Sequence, residues 1–311
     1  MSEILKHNET SSNPLPEIAK TRIKCQAGIT VILTAFKRID VLRKQLEAIR
    51  SQTAPPNKIV LFQDKIIDDY SVVINDDLLN LFDDVYIADE NMGVWGRFDY
   101  ARRIVDTEYV CIFDDDTIPG RGWLENCCKQ MQINEGIYGT IGIILYDQTN
   151  YPWSRYCRIG WDRPNEETKE VDFVGHSWFM KTKWLTYMFD GTEEYRKYKY
   201  AAEDMTLSFS CLQHGISTYV PPHPKNNTDI WGSMPETAVR LGGSNVALSR
   251  TGNNVVMNKA VLHLIYDGWK PLYDRNKDYV KKSQKNEKKN LRKIRARKLK
   301  DWIRYKFEMK R

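Results

Sequence analysis

Between Gly28 and Met131 the chain alternates two kinds of hydrophobic pattern. Ile29 to Leu33 is an unbroken apolar and β-branched run, as in a strand buried on both faces, and Ile39, Leu42, Leu46 and Ile49 then recur at helical spacing. Pro55 and Pro56 stop that helix; Lys58 to Phe62 reads as a second strand and Val85 to Ile87 as a short third. Trp95 to Val105 turns Phe98, Ala101, Ile104 and Val105 to one side, and Tyr109 to Phe113 makes a fourth strand. Pro119 opens a helix with Trp123, Cys127 and Met131 inward. Such alternation predicts an α/β fold on a mostly parallel sheet with helices on both faces, where sites lie beyond the carboxyl ends of strands.

Past Met131 the alternation weakens. Ile137 to Leu145 predicts a strand, Tyr151 to Thr168 a polar, aromatic loop, and Val171 to Phe173 a return to the sheet. Ala202 to His214 reads as a helix with Met205, Phe209 and Leu212 inward, and Pro221, Pro222 and Pro224 mark another loop. The organisation expected is a polar, flexible leader over 1–26, one folded domain over 27–269, and a basic helical tail over 270–311.

Composition narrows the class. At 311 residues, with 41% hydrophobic and 28% charged, the chain can bury a sizeable core, which excludes disorder throughout. No window holds the apolar run of a membrane span and the start lacks the apolar core of a secretory signal, so a cytoplasmic location is expected. The six cysteines show no CxxC spacing and are expected to be buried free thiols. The net charge of +6 is uneven: residues 270–311 carry 18 Lys or Arg against 5 Asp or Glu, so the rest is mildly acidic. In the tail Leu291, Ile294, Trp302, Tyr305 and Met309 fit one helical face, suited to an anionic membrane surface or to the chain's own acidic body. Nucleic acid is set aside as a partner because no recognition fold accompanies the charge.

The sharpest chemical signal is Asp114-Asp115-Asp116 directly after the fourth strand. Three adjacent carboxylates repel one another unless a cation neutralises them, and alternation along an extended segment lets Asp114 and Asp116 approach one ion. A solvated acidic turn ahead of the next helix fits the same spacing. Glu203-Asp204 is a second acidic element, compatible with a catalytic base or with a helix N-terminus that only offsets exposed N–H groups.

Thr34-Ala35-Phe36-Lys37-Arg38 after strand one, Asp114-Asp115-Asp116 after strand four and Glu203-Asp204 opening a late helix resemble nucleotide-sugar glycosyltransferases of the GT-A fold. The exostosin-like group is the closest pattern and the family-two inverting enzymes the next; strand two, however, ends Phe62-Gln63-Asp64-Lys65 rather than Asp-Asp-Gly-Ser. The resemblance implies that Asp114 and Asp116 form the Asp-x-Asp pair, with Asp116 the direct ligand of Mn²⁺ or Mg²⁺ and Asp115 beside the donor. It implies that Thr34 and Arg38 border the nucleotide and that Asp64 contacts uracil. It gives Asp204 the role of base toward the acceptor, places His223 with late-loop histidines that complete a metal site, and puts His176 near the acceptor side.

Charge that develops on a departing diphosphate suits guanidinium clamps, here Arg38 and Arg97, the latter following glycines in Asn91-Met92-Gly93-Val94-Trp95-Gly96-Arg97. Surface ion pairing is the plainer role for Arg97, and a solvated first-turn position that for Arg38. The aromatics Trp153, Tyr156, Trp161, Trp178, Trp184 and Trp231 suit the faces of a glycan acceptor, although Trp184 sits in a core-like helical pattern. These readings converge on metal-dependent transfer from a UDP-sugar to a glycan hydroxyl, leaning to inversion. A nucleotidyltransferase and a non-catalytic carbohydrate-binding protein are the rivals.

Overall fold

The computed structural model describes residues 28–36, 38–65, 73–148, 156–242, 254–289 and 292. The first half runs β1 (Ile29–Ala35), α1 (Ile39–Arg50), β2 (Lys58–Gln63), α2 (Asp76–Leu79), β3 (Asp84–Ile87), α3 (Gly96–Ile104), β4 (Tyr109–Phe113), α4 (Trp123–Ile133) and β5 (Gly136–Leu145). Then come β6 (Tyr156–Gly160), β7 (Lys169–Val171), β8 (Phe173–Lys181), α5 (Leu185–Phe189), α6 (Glu203–Gln213) and β9 (Ser217–Val220). Helices α7 (Pro235–Gly242), α8 (Asn254–Tyr266), α9 (Leu272–Arg275) and α10, over 277–289, follow. The leader over 1–26, Trp153 and most of the predicted tail helix lie outside the described residues.

One sheet organises the chain, in the order β3-β2-β1-β4-β8-β5-β9-β7, with β6 also paired to β5. β1 is parallel to both β2 and β4 and buried at every position, which is why its sequence is unbroken apolar rather than alternating. α1 turns Val41, Leu42, Leu46 and Ile49 onto it. Strand order reverses between β1 and β4, because β2 and β3 extend one way and β4 the other. Sites in such sheets lie beyond the carboxyl ends of the strands at this switch, here past Ala35 and Phe113, where Arg38 and the three acids follow.

The β3-β2-β1-β4 half of the sheet is parallel, as expected, and antiparallel pairs join it beyond β4, so the sheet as a whole is mixed. β8 runs antiparallel to both β4 and β5, β6 is antiparallel to β5, and β7 is antiparallel to β9. Only Asp172 separates β7 from β8, and the two pair with different neighbours, β7 with β9 and β8 with β4 and β5. β8 is also far longer than the Val171 to Phe173 segment expected, and β6 lies inside the predicted loop. Helix α4 starts at Trp123, not Pro119, because the glycines before it turn against another loop: Gly120 N donates to Trp231 O and Gly122 N to Asp229 O. A Cβ on Gly120 would lie 2.3 Å from the Asp229 carbonyl oxygen.

The core extends past residue 269, taking in Leu272 and Val280. Buried Asp172 accepts from Leu145 N in β5 (2.7 Å) and Leu272 N in α9 (2.6 Å), and Glu170 pairs with Arg275 at 3.0 Å. Cys111, Cys127, Cys157 and Cys211 are buried free thiols as expected, whereas Cys128 is disulfide-bonded. No described helix is long and apolar enough to cross a membrane.

Candidate functional site

The acidic turn after β4 is held from three directions. Gln45, on the inward face of α1, donates from Nε2 to the carbonyls of Asp114 and Thr117, each at 2.7 Å. Asp114 N donates to His176 O, which ties the turn to β8. Arg38, just ahead of α1, pairs with Asp115 and lies 3.8 Å from Asp116. Asp115 thus pairs with Arg38, while Asp114 and Asp116 both face His176, as alternation along the segment leads one to expect.

Asp114, Asp116 and His176 meet, with ligand atoms all within 4.8 Å of one another. His176 Nδ1 is 3.0 Å from Asp116 Oδ1 and 3.8 Å from Asp114 Oδ2. Burial alone would raise the Asp116 pKa, but His176 and Arg38 more than reverse it, to about 2. Burial likewise disfavours the charged imidazole, yet the two facing carboxylates prevail and raise the His176 pKa. At Asp115 burial wins over Arg38, and with repulsion from its two neighbours the pKa reaches about 6. Two carboxylates and an imidazole, already drawn together and anionic in sum, form a donor set that fits a divalent cation.

The second acidic element adjoins the first. Arg97, buried in the first turn of α3, pairs with Asp114 (2.7 Å) and with Glu203 (3.1 Å), and its guanidinium lies 4.9 Å from the Trp178 ring centroid. Glu203 and Asp204 begin α6, preceded by Ala202 in a left-handed conformation. Asp204 accepts from Met205 N through its carboxylate at 2.7 Å and from Ser208 Oγ through its carbonyl at 3.0 Å. Burial, then repulsion from Glu203 and Asp114, pushes its pKa well above the ordinary carboxylate range. Glu203 is raised too, by burial that outweighs Arg97.

Among the described residues three non-glycine side chains sit at positive φ: Trp161 (62°), His176 (66°) and Ala202 (72°). All three belong to this cluster, since the Trp161 ring stacks on His176 with centroids 4.0 Å apart. Such conformations cost about 1–3 kcal/mol each and concentrate where a structure holds groups for chemistry.

Thr34 lies at the end of β1 with its buried Oγ1 lacking a hydrogen-bond partner among the described residues. Asp64 follows β2 and accepts from Lys65 N, Met92 N and Gly93 N, so it organises the glycine loop; burial raises its pKa despite these donors. Arg97 is engaged by two carboxylates, those of Asp114 and Glu203. His223 stands apart from the acids, wholly buried between Trp123 and Trp231. Its Nδ1 is 2.9 Å from Pro221 O and its Nε2 accepts from Gly232 N at 3.1 Å, and burial lowers its pKa to about 4. The histidine beside the acids comes instead from β8. Trp178, Trp184 and Trp231 are buried. Gln45 and the Arg97–Glu203 pair were not anticipated, because their partners are remote in sequence.

A sequence model of glycosyl transferase family 2 matches residues 30–189. The chain belongs to this family. No curated protein matches it. A family-2 glycosyltransferase of GT-A fold accounts for the mixed sheet and for the acids at its carboxyl edge, and nothing in the match singles out the exostosin-like group. The matched stretch contains Thr34, Arg38, Asp64, Arg97, the three acids and His176, while Asp204 and His223 lie beyond it. Family membership implies a nucleotide-sugar donor and a glycan acceptor, and the Asp114, Asp116 and His176 group can hold a divalent metal.

Proposed function

We propose that this family-2 glycosyltransferase moves a sugar from a UDP-sugar to a hydroxyl of a glycan in one displacement, with inversion at the anomeric carbon. The observation that carries the reading is the meeting of the Asp114, Asp116 and His176 donor set with the base-bearing start of α6, joined through Arg97. Asp114, Asp116 and His176 would hold Mn²⁺ or Mg²⁺, which when bound supplies positive charge toward the diphosphate.

The chain's own groups do the rest. Thr34, Asp64 and Asp115 border the nucleotide, with Arg38 beside Asp115 at the diphosphate end. The Asp204 carboxylate accepts the proton of the acceptor hydroxyl as that oxygen bonds to the anomeric carbon. The bond from that carbon to the diphosphate oxygen breaks and the nucleoside diphosphate departs. A raised pKa makes Asp204 a stronger base once it is ionised, so transfer should rise with pH across a limb above the ordinary carboxylate range. The basic tail is assigned to an anionic surface, a membrane face or the acidic body of the domain.

A panel of nucleotide sugars incubated with the full chain, Mn²⁺ and candidate glycans tests this, by diphosphate release and by protection against thermal unfolding. Asp116→Ala should weaken metal-dependent donor binding, and Asp204→Ala should lower kcat by about 10²- to 10⁴-fold with donor binding kept. Release of pyrophosphate would establish a nucleotidyltransferase instead. Undiminished transfer in both variants would remove the site.

A further inference from the structure

We infer that Trp161 is a positioning residue for His176, holding the imidazole plane so that Nδ1 faces Asp114 and Asp116 before any metal arrives. The inference rests on the metal reading given above and adds to it a residue outside the Asp114, Asp116 and His176 donor set.

Along β5 and β8 the register moves from Gly139 opposite Trp178 to Ile141 opposite Gly175, so His176 and Ser177 together face the single residue Thr140. Two residues against one is a β-bulge, a device that bends a strand and re-aims a side chain. The left-handed position of such a bulge favours glycine, yet here it carries a histidine with φ of 66°. Gly175, one residue earlier, is not at positive φ.

Thr140 also anchors the tryptophan. Its carbonyl accepts from Trp161 N at 3.2 Å, and its Oγ1 lies 2.7 Å from Ser177 Oγ. Gly160, at φ 75°, brings the chain so close that a Cβ there would lie 2.3 Å from the same carbonyl oxygen. One residue of β5 therefore fixes both halves of the stack. Trp161 itself is nearly buried and at φ 62°, and its ring covers one face of the imidazole at 4.0 Å and 29°. Two strained backbones that deliver two rings face to face make sense if the orientation of one ring is what the arrangement secures. Groups that orient a metal-binding histidine commonly govern affinity as strongly as a weak ligand does.

Two measurements on the full chain test the clamp: Mn²⁺ binding by titration calorimetry, and the His176 ring-proton shifts of metal-free protein. Trp161→Leu should weaken Mn²⁺ binding about tenfold while Trp161→Phe, which keeps an aromatic face, stays within about threefold. The loss in Trp161→Leu should fall on the Mn²⁺ dependence of transfer rather than on the rate at saturating Mn²⁺. In the unsubstituted protein the His176 ring protons should lie upfield through the indole ring current, and in Trp161→Leu they should relax toward ordinary values. Unchanged Mn²⁺ affinity in Trp161→Leu beside weakened affinity in His176→Ala overturns the clamp and leaves the metal reading standing. Unchanged affinity in His176→Ala overturns the metal reading and the clamp with it. Should Trp161→Leu fail to fold, unshifted His176 protons in the unsubstituted protein are enough to reject the stack.

Discussion

Gln45 carries no charge and faces inward from α1, yet its amide is the only described side chain that donates to two carbonyls of the acidic turn. Gln45→Leu keeps the size of the side chain and strands both carbonyls. Unfolding in denaturant should show a loss of about 2–4 kcal/mol, since each buried acceptor left without a donor is costly. Nothing in the sequence near residue 45 discloses this role. Leu42, Leu46 and Ile49 announce the buried face, but the carbonyls that Gln45 serves belong to residues far along the chain. Arg97 is the same case: the glycines before it suggested an anion-facing helix start, whereas its two carboxylate partners arrive only through folding. Asp114, Asp115 and Asp116 were legible because three adjacent acids are a local anomaly.

Among elements, the loop before α3 and the segment before α6 are fastened together, so the proposed nucleotide side and the proposed base, Asp204, are set by one another. Val94 N donates to Lys199 O at 3.1 Å and Trp95 Nε1 to Ala201 O at 3.2 Å. Gly93 permits this contact at φ 68°, where a Cβ would lie 2.1 Å from the Lys199 carbonyl oxygen. Gly93→Ala must push the 199–203 segment away and misplace Asp204. Steady-state kinetics should show kcat reduced about 100-fold, the scale of a misplacement near 1 Å, with Mn²⁺ binding much less affected. Elements of the parallel half were readable because doubly buried strands leave continuous apolar runs. β8 was not, because its pattern is broken by Gly175, His176 and Ser177, at the bulge that serves the site.

At the level of the whole molecule, several buried carboxylates hold protons longer than they do in the unfolded chain. Asp172, buried between β5 and α9, is raised to about 7, Asp115 to about 6, and Glu203 and Asp204 are raised as well. The folded protein therefore binds more protons than the unfolded one from about pH 4 to neutrality, and stability falls as pH rises through that window. The raised His176 acts in the same direction, its contribution being lost as pH rises through its folded pKa. Asp116, lowered to about 2, acts the other way and withdraws stability as pH falls below about 4. Thermal unfolding of metal-free protein in EDTA should accordingly peak on the acid side of neutrality, and Asp172→Asn should flatten the decline toward pH 7.

The position of β9 between β5 and β7 has a consequence for how the chain is made. β5 and β7 both leave the ribosome before the strand that pairs with each of them, and the family-matched stretch ends at residue 189, ahead of Ser217–Val220. During translation the pairing edges of β5 and β7 that β9 later takes up therefore stay open until β9 emerges and seals the gap.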